Sequence, residues 1–594
     1  MLFRSMITER LEKLRKKMSE RNIDAYVVLS SDPHTSEYLA DYYKTRKYIT
    51  GFSGSAGTAV ILKKKAALFT DGRYFIQAAK ELEGSTVELM KMGEPGVPTL
   101  IEYLNENVGE CGKIGVDGLT LDYNDYYQWL ENLGDRMIIT DVDFVGDIWE
   151  DRPEKPNSKA YAFDVKYCGK DTKTKLKELR YFMDSNDCDY NFIGSLDDIC
   201  YLYNIRGNDV LYNPVIISYA LVGKDFANLY IDDEKIDDDL IELLKEQGVT
   251  VKAYEKVFED LSELPGKSVL FLDPSKTNVR IYNSINSNIR ISKGIQPTTL
   301  MKAHKNETEI KNQKNAYIKD GVALVKFFNW VETGTPTGNV TEMSAADKLR
   351  YFREQGDLFM DLSFGTISAY GENAALPHYE PSVDHPVTLQ PKGLYLVDSG
   401  AQYLDGTTDI TRTVALGELT DDEKLHYTLT LKSHINLMTT IFPKGTKSSS
   451  LDPIARRPIW QEMLDFRHGT GHGVGFYLGV HEGPQRIASV NNDIDMDEGM
   501  VTSDEPGIYI EGSHGIRIEN IMHCIKVGES AFGEFLGFES LSICPIDTRP
   551  VIKEKLLPFE LEWLNNYNKE CYEKLSPYLE GSDLEYLEQQ TKAI

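Results

Sequence analysis

Gly393-Leu-Tyr-Leu-Val-Asp398-Ser-Gly400 and, a few residues on, Thr407-Thr-Asp409-Ile-Thr-Arg-Thr-Val414 are the stretches whose reading decides the fold. Side chains alternate along the first with the period of a β-strand. Asp405-Gly406 is a strong hairpin-turn signal, and the second stretch reads as the return strand. A two-residue turn there pairs Leu404 with Thr407 and sets Asp398 opposite Thr413. Asp398 and Asp409 then share a face, but four rungs, roughly 13 Å, separate them. To bring them together the hairpin needs a bulge or a wider loop.

Three further residues join this pair: His472, Glu505 and Glu519. In Gly515-Ile-Arg-Ile-Glu519 the pattern alternates again, with Ile516 and Ile518 pointing one way and Arg517 and Glu519 the other. His468-Gly-Thr-Gly-His472-Gly-Val-Gly475 holds too much glycine for a helix, and its two histidines share a face of an extended segment. Each residue alone has a plain reading. Asp398 and Asp409 flank a turn, Glu505 precedes Pro-Gly, Glu519 can pair with Arg517, and His472 can be a satisfied loop histidine. Gathered, four carboxylates repel one another and mostly fail to ionise. They are stable together around concentrated positive charge. Two divalent cations, with His472 as the single nitrogen ligand, supply it. Such a site points to a metallohydrolase.

These stretches resemble the pita-bread metallopeptidase family, and within it the cytosolic aminopeptidase P group. The matching motifs stand in the family's order: Val397-Asp-Ser-Gly, Asp405-Gly-Thr-Thr-Asp409-Ile-Thr-Arg-Thr, His468-Gly-Thr-Gly-His472-Gly-Val-Gly, His481-Glu-Gly-Pro, Asp504-Glu-Pro-Gly507 and Gly515-Ile-Arg-Ile-Glu519-Asn. The resemblance continues upstream through Tyr48-Ile-Thr-Gly-Phe-Ser-Gly-Ser-Ala-Gly57, Thr70-Asp-Gly-Arg-Tyr74 and Arg206-Gly-Asn-Asp209. It reaches the tail at Leu556-Leu-Pro-Phe-Glu-Leu-Glu-Trp563, so it covers nearly the whole chain. Met463, where the group usually has a small residue, and Pro458, which is expected to interrupt a helix, are local departures.

The resemblance implies roles residue by residue. Asp398 would bind one metal, His472 and Glu505 the other, with Asp409 and Glu519 bridging both. A water between the metals would lose its proton and attack the Xaa-Pro bond, and Glu505 would shuttle the proton. His378, His468 and His481 match family histidines that flank the scissile bond, hold the carbonyl oxygen or line the proline pocket. Arg517 and Tyr509 would complete that pocket. The implied enzyme is an Xaa-Pro aminopeptidase, with Mn²⁺ as the family's common metal and a homodimer as its usual assembly. A prolidase is the rival within enzymes. The rival outside them is a non-catalytic binding protein on the same fold, although such relatives have usually lost ligands that are all present here.

Bulk properties agree. A chain of 594 residues is too long for one core. A net charge of −28 disfavours nucleic acid and anionic membranes as partners, and peptides are the expected ones. Seven scattered cysteines without a CxxC pair suggest reduced thiols and a cytoplasmic protein. The N-terminus has no apolar signal region, and no apolar run reaches the length of a membrane helix.

Pro-bearing stretches at Glu150–Ser158 and Gly294–Thr299 read as linkers. The first two pieces look like a diverged repeat. Leu14, Arg15, Met18 and Asp24 recur as Leu179, Arg180, Met183 and Asp189, in each case where a helix leads into an apolar run. The expected fold is multidomain α/β and α+β. Two creatinase-like α/β domains (1–155 and 156–300) precede a pita-bread catalytic domain (301–545) with a helical C-terminal extension (546–594). In that domain a helix runs from Glu307 through Trp330 and a second begins near Thr341. Two look-alikes are set aside. Gly51–Gly57 lacks the spacing of a phosphate loop, and the run Asp232–Asp239 lacks the glycine and terminal glutamate of a calcium loop, its Asp237–Asp239 opening a helix instead.

Overall fold

The computed structural model describes every residue except Met1 and Asp384. The chain forms two compact units, Met1–Phe163 with Lys170–Thr298, and Asp164–Gly169 with Thr299–Ile594.

The first unit holds two six-stranded mixed sheets. In one the strands run Val87–Lys91, Ala66–Thr70, Thr58–Leu62, Ala25–Val28, Lys113–Val116, Met137–Ile139. In the other they run Thr250–Ala253, Ala227–Ile231, Ser218–Gly223, Tyr190–Ile193, Val269–Leu272, Arg290–Lys293. The order, and the parallel or antiparallel sense of each pair, is the same in both. The four residues that announced the repeat do the same work twice. Leu14 and Met18, like Leu179 and Met183, are buried helix residues. Arg15 donates to the carbonyls of Leu62 and Lys65 across a strand turn, and Arg180 donates to those of Gly223 and Phe226. Asp24 accepts the Lys113 N–H and Asp189 the Val269 N–H, each at 2.9 Å. The look-alike segments are structural. Arg46 ties down the Gly51–Gly57 loop through the carbonyls of Phe52 and Gly54. Asp237 caps the helix Asp238–Glu246 by accepting the Leu240 N–H.

The second unit pairs the helix Glu307–Gly334 with Glu342–Glu354, and Asp421–Met438 with Asp452–Trp460. Asn306, Thr341 and Thr420 cap the first three of these by accepting first-turn N–H groups. Contrary to the expectation from the sequence, Pro458 does not break the fourth helix, which runs through it to Trp460. The helices cover antiparallel sheets. Leu394–Ser399 lies between Ile367–Tyr370 and Ile410–Ala415. A second sheet contains Asn520–Ser530, Val501–Asp504, Gly471–Gly473 and Glu482–Ile487 in that order. Tyr395, Val397, Ile410 and Val414 pack against Phe327, Phe328, Val331 and Leu349 of the first helix pair. The tail helices Pro558–Leu575 and Gly581–Gln590 add Leu564, Tyr567, Cys571 and Leu575 from the first and Leu587 from the second to a core shared with Tyr427, Leu431, Ile516 and Ile518. Ile516 and Ile518 thus face the core, which leaves Arg517 and Glu519 on the other side. Among the described residues no helix is long and apolar enough to cross a membrane.

Candidate metal centre

The hairpin register differs from the expectation by two residues. Tyr403 pairs with Gly406, Gln402 with Thr407 and Asp398 with Thr411, so Leu404-Asp405 forms the turn. Extended by one pair, this register sets Asp409 across from Gly400, with Asp398 two positions along the strand rather than four. No bulge or wider loop is needed. The reason lies outside the hairpin. Gln313, on the helix Glu307–Gly334, donates its side-chain amide to Thr407 O and accepts the Thr407 N–H at 3.2 Å. Lys319 of the same helix holds Asp405 at 2.5 Å. Gly400 is required where the strands meet, because a Cβ there would lie 1.9 Å from the Thr408 carbonyl oxygen.

The other three residues arrive from strand ends. His472 sits in Gly471–Gly473, Glu505 follows Val501–Asp504, and Glu519 joins His514–Arg517 to Asn520–Ser530. A Cβ at Gly471 would be 1.9 Å from Ser503 O, so the glycine lets these strands close up. All five residues converge. One ligand atom each from Asp398, Asp409 and Glu519 lie within 4.8 Å of one another, and so do atoms from His472, Glu505 and Glu519. His472 Nε2 is 3.5 Å from Asp409 Oδ2 and 3.4 Å from Glu505 Oε1. Its Nδ1 lies 2.9 Å from Gly473 O. A carbonyl only accepts, so Nδ1 carries the proton and Nε2 offers its lone pair to the cluster.

The carboxylates are tethered by one oxygen and open at the other. Asp398 Oδ2 accepts from Arg517 Nη2 at 2.7 Å, and Glu519 Oε2 from Thr411 Oγ1 at 2.8 Å. Asp398 Oδ1 and Glu519 Oε1 are buried with no hydrogen-bond partner among the described residues. Burial, then Asp398 and Glu505, drive the Asp409 carboxyl well above its ordinary range. Burial, then Asp409, raises Glu519 in the same way. Glu505 is pushed up to about 7, chiefly by burial and with Arg517 opposing. Orphaned acidic oxygens beside an imidazole are poor as a protein interior and well suited to two hard or borderline divalent cations.

Comparison with known proteins agrees with this reading. The model for metallopeptidase family M24 matches residues 311–526, and that for its C-terminal region 534–594. Two models of creatinase/prolidase N-terminal domains match 10–152 and 151–309. A probable Xaa-Pro aminopeptidase P of Pyricularia oryzae is 41% identical, covering 98% of this chain and 99% of its own. The chain belongs to metallopeptidase family M24. Aminopeptidase P2 of Arabidopsis thaliana is 39% identical over 97% of this chain and 87% of its own. The structure is similar to that of an X-prolyl aminopeptidase from Caenorhabditis elegans, described as a cytosolic enzyme with a di-nuclear active site. The TM-score is 0.95 at 35% identity, with 99% of this chain and 100% of that one covered.

Around the five residues this M24 chain builds a polar wall. Arg517 Nη1 donates to Tyr509 OH at 2.7 Å, and Tyr509 OH is 2.8 Å from His468 Nε2. His468 Nδ1 is 2.7 Å from Gly469 O. The proton therefore sits on Nδ1, Nε2 accepts from Tyr509, and both ring nitrogens are occupied. Burial, then Arg517 and His378, hold His468 well below the usual imidazole range. His481 lies beside the centre: its ring meets that of His472 edge-on at 4.3 Å, and it has a ring nitrogen within 4.8 Å of ligand atoms of Asp409 and His472.

Two residues of the quoted motifs were given no role by the sequence reading. Thr411 holds Glu519. Arg412, fully buried, donates to Glu519 O at 2.6 Å, Cys544 O at 2.7 Å and Tyr567 OH at 2.9 Å, and so ties the Glu519 backbone to the C-terminal extension. An arginine inside an apolar strand pattern is the signal that marks it.

Proposed function

We propose that this M24 chain is an Xaa-Pro aminopeptidase, a metal-dependent exopeptidase that releases the N-terminal residue from peptides with proline in the second position. The observation that carries the reading is the convergence of four carboxylates and one imidazole with buried oxygens left unpaired. Its full-length similarity to aminopeptidases P supports the substrate class.

Asp398, Asp409, His472, Glu505 and Glu519 would hold two divalent cations, Mn²⁺ being favoured by the oxygen-rich donor set. Ions bound there supply Lewis acidity and a nucleophilic water near neutral pH. The chain's own residues do the rest. Glu505 takes a proton from the attacking water and returns it to the departing proline nitrogen. His378 and His481 stand at the scissile carbonyl and stabilise charge on its oxygen. His468, with both nitrogens engaged, offers its ring face to the substrate. With Tyr509 and Arg517 it walls the proline pocket. The Xaa-Pro amide has no N–H, so the ring must be recognised by shape. The division at residues 155, 300 and 545, a cytoplasmic location and a homodimer complete the proposal. Seven free cysteines, six of them buried, support the location.

Product analysis tests it. With Mn²⁺, arginine should leave Arg-Pro-Pro, and the matching Ala-second peptide should be cleaved about 10–200-fold less efficiently, the range that packing around a ring supports. Cleavage of Gly-Pro alone would make the chain a prolidase. Equal kcat/KM for Pro and Ala would leave a general metal aminopeptidase.

A further inference from the structure

Glu342 opens the helix Glu342–Glu354, is 1% exposed, and lies outside the candidate ligand set. No Lys, Arg or His stands within ion-pair distance of it among the described residues. Its carboxylate is instead answered by hydrogen bonds from one short segment. Oε1 accepts the Tyr370 N–H at 2.7 Å and Asn373 Nδ2 at 3.1 Å. Oε2 accepts Tyr379 OH at 2.7 Å and Asn373 Nδ2 at 3.2 Å. Asn373 Nδ2 also donates to Tyr379 OH at 3.0 Å. Both ends and the middle of residues 370–379 are thus gathered on one buried carboxylate, whose burial raises its pKa against these bonds.

His378 sits inside that segment, and both of its neighbours are held. Pro377 O accepts from Arg517 Nη2 at 3.3 Å, and the same nitrogen grips Asp398. Tyr379 packs its ring on Ile367, Ala369, Ala374 and Leu396 and hands its hydroxyl to Glu342. The segment also lies backbone to backbone on the strand His514–Arg517, since a Cβ at Gly515 would be 1.7 Å from Ala374 O. A buried carboxylate with no cation is costly in a fold, and this one spends its bonds on the loop that carries His378.

We propose that Glu342 and Tyr379 form a brace that positions His378 against the substrate: Glu342 is a positioning residue that acts through the Tyr379 hydroxyl. The proposal rests on the reading of His378 as a substrate-contacting residue. A misplacement of that imidazole by less than an ångström would show in the rate.

Tyr379→Phe deletes the one hydroxyl that joins His378's neighbour to Glu342 and keeps the ring packing. We expect it to lower kcat about tenfold or more, with KM changing less than kcat, the metal content matching the parent and the melting temperature lowered by a few degrees at most. In a His378→Ala background the same change should have no further effect. Glu342→Gln, which keeps volume and an acceptor for the Tyr370 N–H, should show the same non-additivity and serves if Tyr379→Phe folds poorly. If Tyr379→Phe costs the same factor with and without His378, or costs nothing in the parent, the brace is overturned while the His378 reading stands. If His378→Ala itself keeps parental kcat/KM, the His378 reading fails and the brace with it.

Discussion

Asp320 and the gathered carboxylates Asp398, Asp409, Glu505 and Glu519 lie in the second unit, all buried but for the half-buried Glu505, and the fold treats the single acid and the cluster in opposite ways. Asp320 is fully answered. Arg353 grips it through Nε at 2.7 Å and Nη2 at 2.9 Å, with both side chains buried, and Tyr403 OH donates to it at 3.2 Å. Asp398, Asp409, Glu505 and Glu519 crowd together, and among the described residues a guanidinium, that of Arg517, stands in salt bridge with Asp398 alone of the four. Two of their oxygens are buried and unpaired, and three of the four carboxyls are raised by burial first and by one another next. Such crowded carboxyls either keep their protons or ionise around a cation taken from solution. The first cluster belongs to the folded protein alone; the second belongs to the protein with its metals.

Substitutions should separate the two clusters sharply. Asp409→Ala should cut turnover about a thousandfold or more, about 4 kcal/mol in the barrier, and lower the bound metal. In chelator it should be no less stable than the parent, because it removes a crowded acid. Activity retained within about tenfold would contradict the bridging role. Arg353→Met should do the reverse. It strands a buried Asp320 and should cost about 3–5 kcal/mol in urea unfolding, by the same amount with and without metal. A metal-dependent loss would erase the distinction. Thr411→Val keeps shape but removes the hydroxyl that holds Glu519 Oε2. The expected effect is smaller, about 10–100-fold in metal affinity, read by competition with a fluorescent chelator. An affinity equal to the parent's would show that Glu519 needs no such support.

Much of this was legible before any coordinates. Alternation put Arg517 and Glu519 on one face because a strand has only two, and Ile516 and Ile518 claim the core. The repeat was legible because Leu14, Arg15, Met18 and Asp24 hold a helix to a sheet, and their counterparts do so again. The hairpin register was not. Asp405-Gly406 is a good local turn, yet Gln313 and Lys319, 94 and 86 residues earlier, hold Thr407 and Asp405 and move the turn by one residue. Tertiary hydrogen bonds outweighed local propensity there, and they halved the distance between Asp398 and Asp409. Glu342 was invisible for the same reason, since its partners come from a loop about thirty residues downstream.

The contrast between answered and unanswered acid is tested most directly by titrating the chelated protein with Mn²⁺ in a calorimeter, at several pH values and in buffers of different ionisation enthalpy. In the metal-free fold Asp409, Glu505 and Glu519 hold protons above their ordinary range, Glu505 up to about 7 from a usual 4.5. The folded state then binds more protons than the unfolded one, so their contribution to stability falls as pH rises through that window. Metal needs the ionised forms. The account predicts two ions per chain, with protons released on binding at pH 6 and fewer released at pH 8. A single ion per chain, or binding at pH 6 with no proton released, would contradict it.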